Sequence, residues 1–178
     1  MRRITTDPEA FDAFDALYRA HVDAVTRFLA RRIDDPHTVA DLVAEVFVAA
    51  LDSSHTYRAE RGGELAWLYG VARNILSAER RRAFKWARLT ARISGSRLLE
   101  PDDLARMEEK IDAESAGRRA LQAMAGLPKS ERAVLELVAI DQLTVAEAAA
   151  ALGIRQGTAR VRLHRARRGL SLVMEGTS

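Results

Sequence analysis

Thr144-Val145-Ala146-Glu147-Ala148-Ala149-Ala150-Ala151-Leu152-Gly153-Ile154-Arg155-Gln156-Gly157-Thr158-Ala159-Arg160-Val161-Arg162-Leu163-His164-Arg165-Ala166-Arg167-Arg168-Gly169-Leu170 is the most regularly patterned segment of the chain. Thr144 and Glu147 stand at the spacing of a capping box, in which each side chain satisfies a free backbone amide of the other. The short helix they open runs to Leu152 and stops at Gly153, and a longer helix begins at about Gln156. Ala148, Leu152, Ile154, Ala159 and Leu163 then share an inner face that fixes the angle between the two helices. The opposite face of the second helix offers Gln156, Arg160, Arg162, His164, Arg165 and Arg168. This is the arrangement of a DNA-reading helix-turn-helix. Arginine bonds guanine edges in pairs and also pairs with phosphates. Gly157 and Thr158 at the helix start let the backbone approach a phosphate, which a helix N-terminus favours. A helical hairpin with a merely solvated basic face has some of the same features. The cap, the turn glycine, the core spacing and the one-sided arginines together favour DNA.

Charge along the rest of the chain is distributed in blocks. The 178 residues carry a net charge of only +3, with 30% charged residues. From Arg73 to Arg97 there are eight basic residues against Glu79; from Leu98 to Ala116, seven acids against Arg106 and Lys110. From Arg155 to Arg168 there are six arginines and no acid. Two basic blocks parted by an acidic stretch suggest two surfaces that meet a polyanion. Cysteine is absent, which excludes disulfides and thiolate zinc sites and fits a reducing cytosol. No run approaches the ~20 apolar residues that span a bilayer, and Met1 to Asp7 lacks the apolar core of a signal peptide. The sequence therefore predicts a cytoplasmic protein with no membrane insertion.

Everything regular upstream also reads as helix. Phe11, Phe14, Tyr18, Val22, Val25 and Phe28 or Leu29 recur at three- and four-residue steps, the stripe of an amphipathic helix. Asp34-Asp35-Pro36 ends it and starts another, with Asp35 as cap and Pro36 in the first turn. The second helix carries Val39, Leu42, Val43, Val46, Phe47 and Ala50 on one side and runs to about Leu51. A polar loop, 52–63, leads to a third helix with Leu65, Leu68, Ala72, Ile75 and Leu76 inward, ending in Arg80-Arg81-Arg82. Gly95, Pro101 and mixed charges mark a linker with a short helix. Leu121, Met124 and Leu127 lead to a break at Pro128, after which Ser130 is a plausible cap for the helix carrying Val134, Leu135 and Val138. The fold class expected is all-α: two small helical domains, 1–90 and 113–178, joined by a linker, 91–112, the second domain a helix-turn-helix. All ten aromatic residues lie between Phe11 and Trp86, so the second domain builds its core from aliphatic residues and is small and modestly stable.

Several of these residues form a pattern. Leu127-Pro128, Glu131-Arg132, Val134-Leu135, Leu143-Thr144, Glu147-Ala148-Ala149, Leu152-Gly153-Ile154, Gly157-Thr158 and Arg162-Leu163-His164-Arg165-Ala166-Arg167 resemble region four of ECF (extracytoplasmic function) sigma factors of the sigma-70 family. That domain binds the minus-thirty-five promoter element. The helix-turn-helix of LuxR-type response regulators begins with a similar Glu-Arg-x-Val-Leu segment, so this half alone does not decide. The N-terminal half decides. Asp41-Leu42-Val43-Ala44-Glu45-Val46-Phe47 resembles the family's polymerase-binding motif, and Trp67-Leu68-Tyr69-Gly70-Val71-Ala72-Arg73-Asn74 resembles its minus-ten-reading helix. The sequence departs from the family at Ala44, where Gln is common, and at Gly70, where Arg or another polar residue is common. It departs again at Arg155, a usual cap position, at Ala148 and Ala159, where larger apolar residues stand, and at Val161, often Ser.

The resemblance implies an alternative sigma factor that binds core RNA polymerase, directs promoter-specific initiation and catalyses nothing itself. It implies polymerase contacts from Asp41, Leu42, Glu45 and Val46, with Val43 and Phe47 read as core. On the minus-ten DNA it implies Asn74 at a base and Arg73, Arg80 and Arg81 on phosphates, since single strands are held in positive grooves and a flipped base needs a polar pocket. Trp67 fits a core position better than a stacking platform; Tyr57 and Trp86 are further stacking candidates. On the minus-thirty-five duplex it implies Gln156, Thr158 and Arg162 with Arg160, Val161, His164 and Arg165 toward base edges. No cofactor is expected. Factors of this family are often held inactive by an anti-sigma partner, which no residue here identifies. The alternative is a DNA-binding regulator acting without polymerase, which leaves Asp41 to Phe47 unexplained. An enzyme is disfavoured: His21, His37, His55 and His164 are scattered, and no catalytic or metal-ligand constellation accompanies them.

Overall fold

Asp34-Asp35-Pro36 does separate the first two helices. The computed structural model describes residues 8–89 and 101–175, and gives side chains for all of these except 8–10, 61, 83–89, 101 and 171–175. Helix α1 spans Pro8–Ala30 and α2 Pro36–Asp52. The Thr38 amide donates to Asp35 Oδ2 at 2.8 Å, which satisfies one free amide of the first turn. The Thr38 hydroxyl, and then that amide, hold the Asp35 carboxyl below its ordinary value. After α2 the loop makes two short 3-10 turns, Ser54–Thr56 and Ala59–Arg61, before α3, Glu64–Leu89.

Helices α1, α2 and α3 pack on one another around Val25, Phe28, Leu29, Val39, Val46 and Leu68, all fully buried. Phe28 stacks on Tyr69 with centroids 4.5 Å apart, and burial pushes the Tyr69 phenol up to about 12. The expected α1 stripe is deeply buried only in its second half. Val25, Phe28 and Leu29 are inside, whereas Phe11 is 71% exposed and Tyr18 lies at the rim against Phe47. Phe14 and Leu17 pack partly buried against the core, with Phe14 edge-on to Phe47 of α2, and Phe11 lies one turn beyond that contact.

The expected linker is in part a docked helix. Residues 91–100 lie outside the described residues, but α4, Pro101–Ala113, lies across α1 and α2. Ile111 is buried there, Met107 packs beside it, and Lys110 donates to Asp23 at 2.7 Å. Helix α5, Ser115–Ala123, follows, then α6, Lys129–Leu135. Ser130 is not the cap of α6: Pro128 occupies that position, no side chain bonds the free amides, and Ser130 already lies within the first turn. The helix then widens into a π-turn, Glu136–Ile140, closed by the Asp141 amide donating to the Glu136 carbonyl at 3.1 Å.

The stretch first read as a helix-turn-helix forms one. Helix α7, Val145–Ala151, opens with the Thr144–Glu147 capping box, both reciprocal bonds present. Gly153, at φ +63°, makes the turn, a left-handed conformation that glycine adopts at no steric cost. Helix α8 is Gln156–Glu175. Met124, Leu127, Val134, Leu135, Ala149, Ala159, Leu163 and Ala166 form its core. Leu137, Leu143 and Ala148 instead join the core of the first three helices. The two units therefore share a wall, in which α7 packs on α3. Gly70 explains how the backbones come so close. A Cβ at this position would lie 3.0 Å from the Ala151 carbonyl oxygen, so the helix accepts the ~1 kcal/mol that glycine costs relative to alanine. Among the described residues every regular element is helical.

Candidate nucleic-acid interface

Helix α8 presents two chemically different sides because its apolar residues recur at helical spacing. Ala159, Leu163 and Ala166 are buried, while Gln156, Thr158, Arg160, His164, Arg165 and Arg168 are exposed and Arg162 is half-buried. Val161 is 50% exposed amid these polar side chains. Of the residues named for the minus-thirty-five duplex, all but Arg162 therefore stand free on one continuous surface. That surface combines a helix of groove-filling width with guanidinium donors, a pairing suited to duplex DNA.

On the first unit the named residues divide. In α2, Asp41 and Glu45 are exposed, and Arg82 reaches Glu45 at 3.4 Å. Leu42 and Val46 face inward and are buried with Val43 and Phe47, so their side chains support the helix from below and do not reach its surface. The large exposed apolar side chains of α2 are Val48 and Leu51, to which periodicity alone assigns no role. In α3, Asn74, Arg80 and Arg81 are exposed. Arg73 is not: it is half-buried and lies 3.6 Å from Glu136 of the second unit. Burial pulls its guanidinium below the ordinary value, and Glu136 opposes that shift. Trp67 packs partly into the core, donates to the Thr56 hydroxyl at 3.3 Å and lies 5.5 Å from the Tyr57 ring. The side chain of Trp86 lies outside the described residues.

The strongest electrostatic feature is at the joint, where no functional residue was expected. Asp141, its side chain wholly buried, accepts from Arg31 at 3.0 Å and from Arg32 at 3.2 Å and 2.6 Å. Arg31 also donates to Glu114 and to the Ile140 carbonyl. Burial works to lower the Arg31 pKa, but the bonds from Glu114 and Asp141 outweigh it and leave the group above its ordinary value. Arg32 lies over the Phe28 ring, 3.8 Å from its centroid, and donates to the Phe28 carbonyl. Arg118 donates to the Ala30 carbonyl at 2.9 Å. The last turn of α1 is thus closed by cations, as a helix C-terminus favours. Glu136 sits among Arg32, Arg73 and Arg132 at 3.3–3.7 Å. The only sequence signal for this joint is an acid placed between apolar residues at Ile140-Asp141-Gln142-Leu143. It names no partner more than a hundred positions away.

Among the described residues no group of three or more His, Cys, Asp or Glu side chains is placed to hold a metal ion, and no helix is long and apolar enough to cross a membrane.

Comparison with known proteins matches two family models in order along the chain. The Sigma-70 region 2 model covers residues 17–85 and the Sigma-70 region 4 model residues 117–170. The chain is 32% identical over 133 residues to the ECF RNA polymerase sigma factor ShbA of Streptomyces griseus, covering 75% of this chain and 70% of that protein. It is 33% identical to SigE of Mycolicibacterium smegmatis (93% of this chain, 63% of SigE) and 29% identical to BldN of Streptomyces coelicolor (92% and 61%), both ECF RNA polymerase sigma factors. The chain thus spans about three fifths of the length of these last two relatives. Among solved structures, CnrH in complex with the cytosolic domain of CnrY matches with a TM-score of 0.56 at 28% identity, covering 94% of this chain and 90% of the other.

Proposed function

Because the chain belongs to the ECF RNA polymerase sigma factors of the sigma-70 family, which is not an enzyme family, we propose that it binds core RNA polymerase and directs initiation at particular promoters. One observation carries this reading. A region 2 unit and a helix-turn-helix whose second helix exposes Arg160, Arg165 and Arg168 stand in that order on one chain. A plain regulator needs only the second. In this reading the protein works in the cytoplasm, needs no cofactor and catalyses no reaction itself.

The roles follow from exposure. Asp41 and Glu45 on the outer face of α2 pair with basic groups of the polymerase, and Leu42 and Val46 hold that face in position from the core. Asn74 contacts an unstacked base of the minus-ten strand, and Arg80 and Arg81 lie on its phosphates. Arg73 joins them once released from Glu136. The pocket that receives the base must offset the few kcal/mol that unstacking costs. Helix α8 reads the upstream duplex. There Arg160 and Arg165 donate to base edges, His164 and Gln156 supply further polar contacts, and Val161 contributes an apolar one. Thr158, and Arg162 where solvent reaches it, fix the helix on the phosphates. An anti-sigma partner that covers one or both units is the regulation such a factor invites.

Transcription from a supercoiled genomic template library with purified core polymerase, with and without the protein, tests the proposal. New start sites that depend on the protein are expected. DNA binding without any polymerase-dependent initiation would replace this reading with that of a regulator acting alone.

A further inference from the structure

A cleft runs where the end of α1 meets α3, α5 and α6, and its walls carry more positive charge than the neighbouring acids balance. It has two lobes. The first, about 320 Å3, is lined by Arg31, Arg32, Arg80, Arg118 and Arg132. The second, about 280 Å3, adds Arg73 and Lys129 and shares Arg32, Arg80, Arg132 and Glu136 with the first. The lobes therefore meet along those shared side chains.

Against these seven cations stand four carboxylates. Asp141 and Glu114, which do not line the cleft, pair with Arg31 and Arg32, and Asp34 pairs with Arg118. Glu136 must serve Arg32, Arg73 and Arg132 together, at 3.3–3.7 Å. Those contacts are longer than the 2.6 Å and 3.0 Å of the closest Asp141 pairs. Arg80 and Lys129 are exposed and, among the described residues, have no ion pair or side-chain hydrogen bond. Like charges gathered in a partly enclosed cleft repel, and a multivalent anion relieves several of those repulsions at once. Guanidinium groups bind phosphoryl oxygens through paired, charge-assisted bonds.

We infer that this cleft is a binding site for a short chain of phosphoryl groups, either an inorganic oligophosphate or the phosphate tail of a nucleotide. One group lies in each lobe, with Arg80 and Arg132 between them. Three features shape this ligand. Two lobes that meet at shared arginines call for linked anionic groups rather than one. The first lobe falls within the roughly 300–1,000 Å3 that holds a small ligand. Neither lobe is lined by an aromatic side chain, so a nucleobase finds no ring on which to stack. The site is also separate from the helix assigned to duplex DNA, since no residue of α8 lines either lobe.

Isothermal titration calorimetry of the full chain with orthophosphate, pyrophosphate and inorganic tripolyphosphate tests this. It is run without divalent metal at about 0.15 M salt, where loose surface charge is screened. One tripolyphosphate should bind per chain, at least roughly tenfold tighter than orthophosphate, and should raise the melting temperature. ATP should bind about as tightly as tripolyphosphate. Arg80→Ala combined with Lys129→Ala removes two side chains that hold nothing else. It should weaken tripolyphosphate at least roughly tenfold and leave the helix content by circular dichroism unchanged. Arg132→Lys, which keeps the charge but loses the paired donors, should also weaken binding. Arg160→Ala combined with Arg165→Ala on α8 should leave the affinity as it was. Absence of binding at this salt overturns the inference, as does equal affinity for orthophosphate and tripolyphosphate. An equal loss in the α8 variant, or binding of ATP where tripolyphosphate does not bind, overturns it too. Because neither promoter nor polymerase is present, these outcomes are read independently of the sigma-factor assignment.

Discussion

The two helical units solve the packing problem with different materials. The first closes around Phe28, Leu29, Leu68 and Tyr69, with one aromatic stack and two edge contacts onto Phe47. The second has no aromatic residue and seats three of its core positions with alanine, at Ala149, Ala159 and Ala166. Large side chains bury more area each, on the order of 25 cal/mol per Å2 of apolar surface. The first unit therefore has the means to stand alone. The second borrows, placing Leu137, Leu143 and Ala148 into its neighbour's core. A unit that carries an exposed, arginine-rich helix has few apolar residues left to stabilise itself, and leaning on a neighbour offsets part of that deficit.

Four measurements press on this contrast. The largest effect should come from Phe28→Ala, which removes a fully buried ring and should cost about 4 kcal/mol in denaturant unfolding. Next, Asp141→Asn should cost about 3 kcal/mol, since it strands two arginines in the joint. It should split one unfolding transition into two, with the second unit melting first, as calorimetry would show. A single transition at the parent temperature would mean that the units do not lean on each other. Thr144→Ala should cost about 1 kcal/mol by removing the capping box, confined to the second unit and visible as faster amide exchange in α7. The smallest effect is acid-linked. Lys110, through its bond and then its charge, holds the Asp23 carboxyl below its ordinary value. A depressed carboxyl favours the docked state above its unfolded value, and that contribution disappears as pH falls through the lowered one. Amides of α4 should thus lose protection below about pH 4, before those of α3.

Much of this was legible in the chain. The breaks at Asp35-Pro36 and Gly153, the box at Thr144 and Glu147, and the inner positions of α8 depend on local chemistry that acts within a turn or two, so spacing reveals them. Leu42 and Val46 show the limit. A motif places them on a helix, but only packing tells which side of that helix faces solvent. The Ser130 cap failed because Pro128 presets the backbone just before α6 and the helix starts without a side-chain cap. The joint was illegible for another reason. Arg31 and Arg32 are ordinary surface residues by pattern and Asp141 is marked only by its apolar neighbours; what joins them is the meeting of two units across 109 positions or more. Gly70 stood out only as a departure; its reason lies on α7.

The π-turn Glu136–Ile140 has a consequence best put as arithmetic. Such a turn holds one residue more than the α-helix it interrupts, and each helical residue turns the chain by about 100°. Asp141 stands directly after the turn, so its direction is set by that surplus residue. Deleting one residue from 136–140 would restore ordinary pitch and swing Asp141 away from Arg31 and Arg32. The loss of a single codon, barely visible in composition or hydropathy, would then uncouple the two units and leave each with its own helices intact.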